Sequence, residues 1–462
     1  MHILPAPVFT LPPAPKRFWR LAALLAASGV AYWLLCYPTL RSNTLQVWVL
    51  FAILFAFYGG IYLLVQTPAQ YRLAWAAAWG YRALLLFSLP NLSDDFYRFM
   101  WDGRLLLHGI NPFAALPIDY VNQTLAAPPG IDCALYEQLN SPLYYTVYPP
   151  VCQVVFYLAA LLFPASTGGA VAVMKSCLLL FETGTLLLMP QLLKNLRLPE
   201  KRTLLYALNP LAIAEISGNL HFEGALIFFL LAWVYCLSVC NKPVESGLFW
   251  GLAVCSKLLP LLFLLFLPRR IGFKKTAWFA MLATLVIAAC FLPFFEPQTA
   301  VALFSSTRLY FGRFEFNAGI YYLLRAMGYV FTGYNTIQTT GKLLAAVTFA
   351  AIVALAFSEK KVSAKTLPKT LLFALFLYFA LSTTVHPWYL TTLVALCVFT
   401  PYRFAIVWSG VALLSYAAYH TTAYTENLWL IAIEYVLLYV VLGRELWREM
   451  KICCTTNINK PF

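Results

Sequence analysis

Charge is scarce in this sequence. Only 11% of its 462 residues are Asp, Glu, Lys or Arg, where an ordinary soluble domain carries about 25%. With 62% of residues hydrophobic, that deficit excludes a water-soluble globular class and points to a polytopic membrane protein. Acids are scarcer still: 18 stand against 32 basic residues, for a net charge of +14. The basic residues cluster in short loops between apolar runs, which topology explains, so no nucleic acid is expected. No CxxC pair occurs among the 11 cysteines, which lie mostly in apolar runs or at Cys453 and Cys454, with Cys133 in a polar loop. Neither a zinc site nor a disulfide framework is supported. A cleavable signal pattern, internal repeats and low-complexity linkers are also missing. Lys16, Arg17 and Arg20 instead lead into an apolar run that reads as a retained anchor.

Apolar runs are what the sequence has in abundance. They fall at 20–37, 45–65, 73–90, 170–190, 203–219, 222–240, 276–295, 341–358, 368–385, 388–400, 404–420 and 428–446, against a requirement of about 20 residues per span. The expectation is an all-α polytopic membrane protein, a single integral domain of roughly 11–13 transmembrane helices. Residues 1–90 form its N-terminal spans, 91–146 a large outer loop, and 147–462 the remaining bundle with a second outer loop at 296–320. Two segments are irregular. Residues 147–163 open on Pro149-Pro150 and read as an outer-leaflet or re-entrant segment. Residues 247–267, broken by Ser256-Lys257 and Pro260, read as a hairpin entering from the inner side. With the basic stretches 194–202, 269–275, 359–369 and 444–451 inside, the outer face receives His221, Glu223, the loop 295–317, His386, His420 and Glu426.

The aspartates fall on that face too. Asp94, Asp95, Asp102, Asp119 and Asp132 are confined to residues 94–132. Ser93 suits an N-cap, and the two acids after it suit the positive end of a helix. Asp94, Arg98 and Asp102 share a helical face with alternating sign. Gly109 and Asn111-Pro112 supply a stop. The stretch is too polar to cross a bilayer, so it reads as a short surface helix at the lipid–water boundary.

The same stretch, SDDFYRFMWDGRLLLHGINPF, resembles the first outer loop of polyprenyl-phosphate-sugar-dependent glycosyltransferases of the GT-C fold, particularly their mannosyltransferase branch. The pattern is carried by Asp95, Tyr97, Phe99, Gly103 and Gly109-Ile110-Asn111-Pro112-Phe113. It continues through YPP (148–150), ALNP to GNLHFEG (207–224), GLAVCSKLLPLLFL (251–265) and HPWYL (386–390), covering most of the chain after about residue 90. In the family this loop follows the first span, and here it follows three. The resemblance implies a GT-C-type bundle and transfer of a sugar, mannose foremost, from a polyprenyl-phosphate donor to a glycan or glycolipid acceptor. It implies inversion at the anomeric carbon, no metal and no cofactor beyond the donor substrate. It also implies a bacterial cytoplasmic-membrane protein working on its extracytoplasmic side.

The chemistry needs a base for the acceptor hydroxyl and cations or hydrogen-bond donors for the departing phosphate. Asp95, at the motif position, is the expected base, and Asp94 orients the acceptor or shares the role. Both also suit plain helix capping. For donor phosphate and sugar the candidates are Arg308, Arg313, His386, Lys257 and Tyr389. Arg308 and Arg313 could equally pair with Glu315, and Lys257 could cap backbone carbonyls. Arg98, Asp102, Asn111, His221 and Glu223 are expected to contact the acceptor or support the loop. Lys175 and Glu182 share a face of one span and read as structural. A lipid or solute transporter relaying through Lys175, Glu182 and Lys257, or a non-catalytic subunit of a glycan-assembly complex, are the competing classes.

Overall fold

The computed structural model describes residues 15–420 and 424–458; among these, the side chains of 15, 307–311 and 452–458 are not described. The described residues are all-helical, with no strand beyond one bridge between Phe316 and Thr384.

Long helices form where apolar runs meet good caps. α1 (Pro15–Cys36) and α2 (Thr44–Leu64) are joined by a short loop in which the Asn43 side chain accepts from the Gln46 amide. α3 (Pro68–Leu84) opens on a Thr67–Gln70 capping box with Pro68 in its first turn, a favourable start because proline has no amide to leave unpaired. Among the described residues, five helices are long and apolar enough to cross a membrane: α1, α2, α6 (Thr167–Asn195), α9 (Phe273–Phe291, continuing to Phe294) and α10 (Ile337–Ser358). A bent pair, Pro210–Gly218 with α7 (Glu223–Ser238), brings the number to six if taken as one span. Large apolar side chains such as Leu180, Leu285, Phe349 and Val436 face outward on these and neighbouring helices, a surface that water would disfavour and lipid would not.

That number is smaller than the 11–13 spans expected, because several apolar runs are too broken to cross alone. Residues 203–219 fold as short buried pieces, Leu204–Ala207, Pro210–Ala212 and a π-helical turn Ile213–Gly218, before a 115° bend into α7. Runs 368–385, 388–400 and 404–420 become helices of 14, 8 and 8 residues, the last continuing as a 3₁₀ segment. The segment 147–163 gives α5 (Pro150–Leu162), 13 residues and so about 20 Å long, short of a bilayer core of about 30 Å. The hairpin break lies at its expected place: α8 (Ser246–Ser256) ends at an extended Lys257, and a 3₁₀ helix follows.

α4 (Asp95–Leu107) departs from a surface helix. It packs on α5 with Phe96, Phe99, Met100, Trp101 and Leu105 buried, and Phe99 stacks on Phe156 at 4.6 Å. Gly103 permits the contact, since a Cβ there would collide with the Phe156 backbone carbonyl. The helix stops where the sequence predicts. Gly109 takes φ 71°, and the Ile110 amide bonds back to Leu105.

Candidate functional site

The start of α4 sets the site. Asp94 rather than Ser93 occupies the N-cap, and its side chain makes no capping bond. It forms an ion pair with Arg41 from the α1–α2 loop, and Arg41 also lies 4.6 Å from the Tyr419 ring centroid. Burial alone would lower the Arg41 pKa; the Asp94 carboxylate outweighs it and holds the guanidinium above its ordinary value. The alternating face expected for Asp94, Arg98 and Asp102 is therefore only half made. Arg98 and Asp102 are joined at 2.9 Å and buried, whereas Asp94 is taken by another loop.

Asp95, which lies outside that row, faces inward. Its Oδ1 accepts from Asn140 Nδ2 at 2.6 Å, and its Oδ2 lies 3.8 Å from His221 Nε2. The His221 ring stacks on Trp388 at 3.9 Å with 10° between planes, and Trp388 stacks on His386 at 4.4 Å and 5°. Two residues beyond His221, Glu223 opens α7 and forms an ion pair with Lys257. The Lys257 ammonium sits 3.6 Å from the centre of the Tyr389 ring. α7 and the shorter α8 run as neighbours, and this brings Lys257 back to the level of Glu223.

His386 adds a polar group without adding charge. Burial, then the neighbouring His221 and Lys257, push its pKa down to about 3, so the imidazole is neutral at physiological pH. The segment before it is bound to the second loop, where Phe316 N donates to Thr383 O at 3.1 Å and Val385 N to Phe316 O at 2.8 Å.

The other expected residues fall elsewhere. Asp102 also accepts from Thr146 and Gln153, and Arg98 donates to the carbonyls of Ser141 and Tyr144. Both fasten the loop that follows α4. Asn111 is likewise support, donating to Thr299 at 3.1 Å. Arg313 is exposed, and Glu315 takes Arg325 at 2.5 Å in its place. The Arg308 side chain lies outside the described residues. Lys175 caps the end of α3 through Leu85 O and Ser88 O, at 2.9 and 2.7 Å. Among the described residues no group of three or more His, Cys, Asp or Glu is placed to hold a metal ion.

Sequence reasoning missed Arg41, Asn140, Tyr416 and Glu215. Glu215 carried a usable signal, an acid inside the apolar run LAIAEISG, which by default suggests function. Arg41 is the lone base in the short stretch between the apolar runs 20–37 and 45–65. Asn140 and Tyr416 carried none. No protein-family model matches this chain, and no curated protein is significantly similar to it.

Proposed function

We propose that this chain is an integral membrane glycosyltransferase. It moves a sugar, mannose foremost, from a polyprenyl-phosphate donor to a glycan or glycolipid acceptor on the extracytoplasmic side of a bacterial cytoplasmic membrane. One observation carries the reading: Asp95, His221, Glu223, Lys257, Trp388 and Tyr389, drawn from separate parts of the chain, form one linked cluster. A carboxylate and an ammonium in one cluster are the two charges that transfer from a phosphate requires.

Asp95 takes the proton of the acceptor hydroxyl as that oxygen attacks the anomeric carbon from the face opposite the phosphate, so configuration inverts. The departing phosphate is met by Lys257, which exchanges Glu223 for it, with Tyr389 beside the ammonium. Neutral His386 contributes hydrogen bonding, and Trp388 an aromatic face. Asp94, held by Arg41, shapes the acceptor side. The reading invokes no metal or cofactor. A transporter relay through Lys175, Glu182 and Lys257 is disfavoured because Lys175 and Glu182 are buried and engaged by the protein itself.

Purified protein offered polyprenyl-phosphate mannose and a lipid-linked glycan should transfer mannose, and Asp95→Asn should abolish transfer while retaining donor binding. Full transfer by both Asp95→Asn and Asp94→Asn would remove the proposal.

A further inference from the structure

His221 is held more tightly than a neighbour of Asp95 needs to be. The segment before it is a π-helical turn, Ile213–Gly218, a form concentrated at functional sites. Leu220 then takes φ 66°, a left-handed conformation that a branched L-residue keeps only when its surroundings enforce it. This backbone puts His221 Nδ1 3.0 Å from Glu215 Oε2 and 3.1 Å from the Glu215 carbonyl oxygen. With two acceptors at Nδ1, the ring carries its proton there. Nε2 is turned toward Asp95, buried and without a hydrogen-bond partner. Glu215 is fully buried and accepts from Tyr416 Oη at 2.5 Å and Asn219 Nδ2 at 3.2 Å. An oriented, dehydrated carboxylate behind an imidazole fixes the tautomer and stabilises an imidazolium when one forms.

We propose that His221 and Glu215 form a proton relay behind Asp95, so that the proton taken from the acceptor hydroxyl is passed on to His221 Nε2. The inference rests on the glycosyl-transfer reading above. The acceptor oxygen bonds to the anomeric carbon, the bond from that carbon to the phosphate oxygen breaks, and its electron pair leaves with the phosphate. The proton goes from the acceptor oxygen to Asp95 Oδ2 and then to Nε2, which restores the carboxylate. The gap between these two atoms closes to hydrogen-bond length with a shift of about 1 Å. Asp95 is the catalytic residue; His221 and Glu215 act through it and are positioning residues. The charged and titratable groups facing His221 are Glu215 from the π-turn, Asp95 from α4, Glu223 from α7 and His386 across Trp388. Lys257 acts on the same group through His386 and Glu223.

The test uses the full-length chain in proteoliposomes with polyprenyl-phosphate mannose and an alkyl mannoside acceptor, reading kcat against pH. Transfer requires a neutral His221 able to receive the proton, so activity rises with pH along an acid limb that follows the His221 imidazole. Glu215→Gln leaves an acceptor for the Nδ1 proton but removes the charge favouring the imidazolium. The limb should move to lower pH by on the order of one unit, and the plateau kcat should fall by about tenfold or more. His221→Ala should lose most activity and regain part of it with added imidazole. An unmoved limb in folded, donor-binding Glu215→Gln overturns the relay while leaving Asp95 as base. Where Glu215→Gln does not fold, failure of imidazole to rescue His221→Ala overturns it instead. Unimpaired transfer by Asp95→Asn overturns the base assignment itself.

Discussion

Arg82 on α3 and Glu182 on α6 form an ion pair at 2.9 Å with neither side chain exposed to solvent. Arg82 also donates to the carbonyls of Ala78 and Ala207, and Tyr206 donates to Glu182 at 2.6 Å. Those further partners are neutral, so each charge is balanced by the other. Glu182→Ala should destabilise the protein by about 3–5 kcal/mol, because it strands a buried guanidinium. The double variant Arg82→Met, Glu182→Leu should recover most of that loss. Thermal unfolding in detergent distinguishes the two, and equal loss in both would show that the pair is not the source.

Asp94 and Asp95 are adjacent yet differ in partner, since one is bound to Arg41 and the other faces His221. Asp95→Asn should lower kcat by roughly 10²–10⁴. Asp94→Asn should lower it by less than about tenfold and leave folding almost unchanged, because partly exposed pairs contribute about 0–1 kcal/mol. Steady-state transfer by the two variants checks this; equal loss would make them a shared base.

Lys257 is the cation in contact with the cluster, whereas Arg313 lies exposed in the second loop. Lys257→Met should weaken donor binding by about 1.5–3 kcal/mol, or roughly ten- to a hundredfold, with Lys257→Arg retaining more. Donor titration is the measurement. A greater loss in Arg313→Ala would reverse the assignment.

Acid should destabilise the fold through His386. Its imidazole protonates at about 3 when folded against an ordinary 6.5. Between those values the unfolded state holds the extra proton, so stability falls as pH drops. The drop in melting temperature from about pH 7 to about pH 4.5 should be smaller in His386→Gln than in the parent. An identical drop would mean that His386 does not titrate with unfolding.

Gly103 is where α4 and α5 touch backbone to backbone. Gly103→Ala should push the helices apart at a cost of about 1–3 kcal/mol and shift the position of Asp95, lowering kcat as well. Retained stability with retained activity would show that the contact yields freely.

The sequence by itself determined whatever depends on consecutive residues. The helical class, the break at Ser256-Lys257, the stop at Gly109 and the confinement of aspartate to one stretch are all legible there, because hydropathy and turn chemistry act over a few neighbouring positions. It offers more apolar runs than there are long apolar helices among the described residues, since an apolar run says that a segment is buried without saying whether lipid or protein buries it; residues 203–219, wholly enclosed by the chain, show the difference. Tertiary structure alone decided which charges meet. Arg41 took Asp94 out of its predicted row, Arg325 took Glu315, α8 carried Lys257 back to Glu223, and the π-turn aimed His221 at Asp95. Ion pairs and hydrogen bonds need partners within about 3–4 Å, and that separation is set by how distant helices pack rather than by the order of residues along the chain.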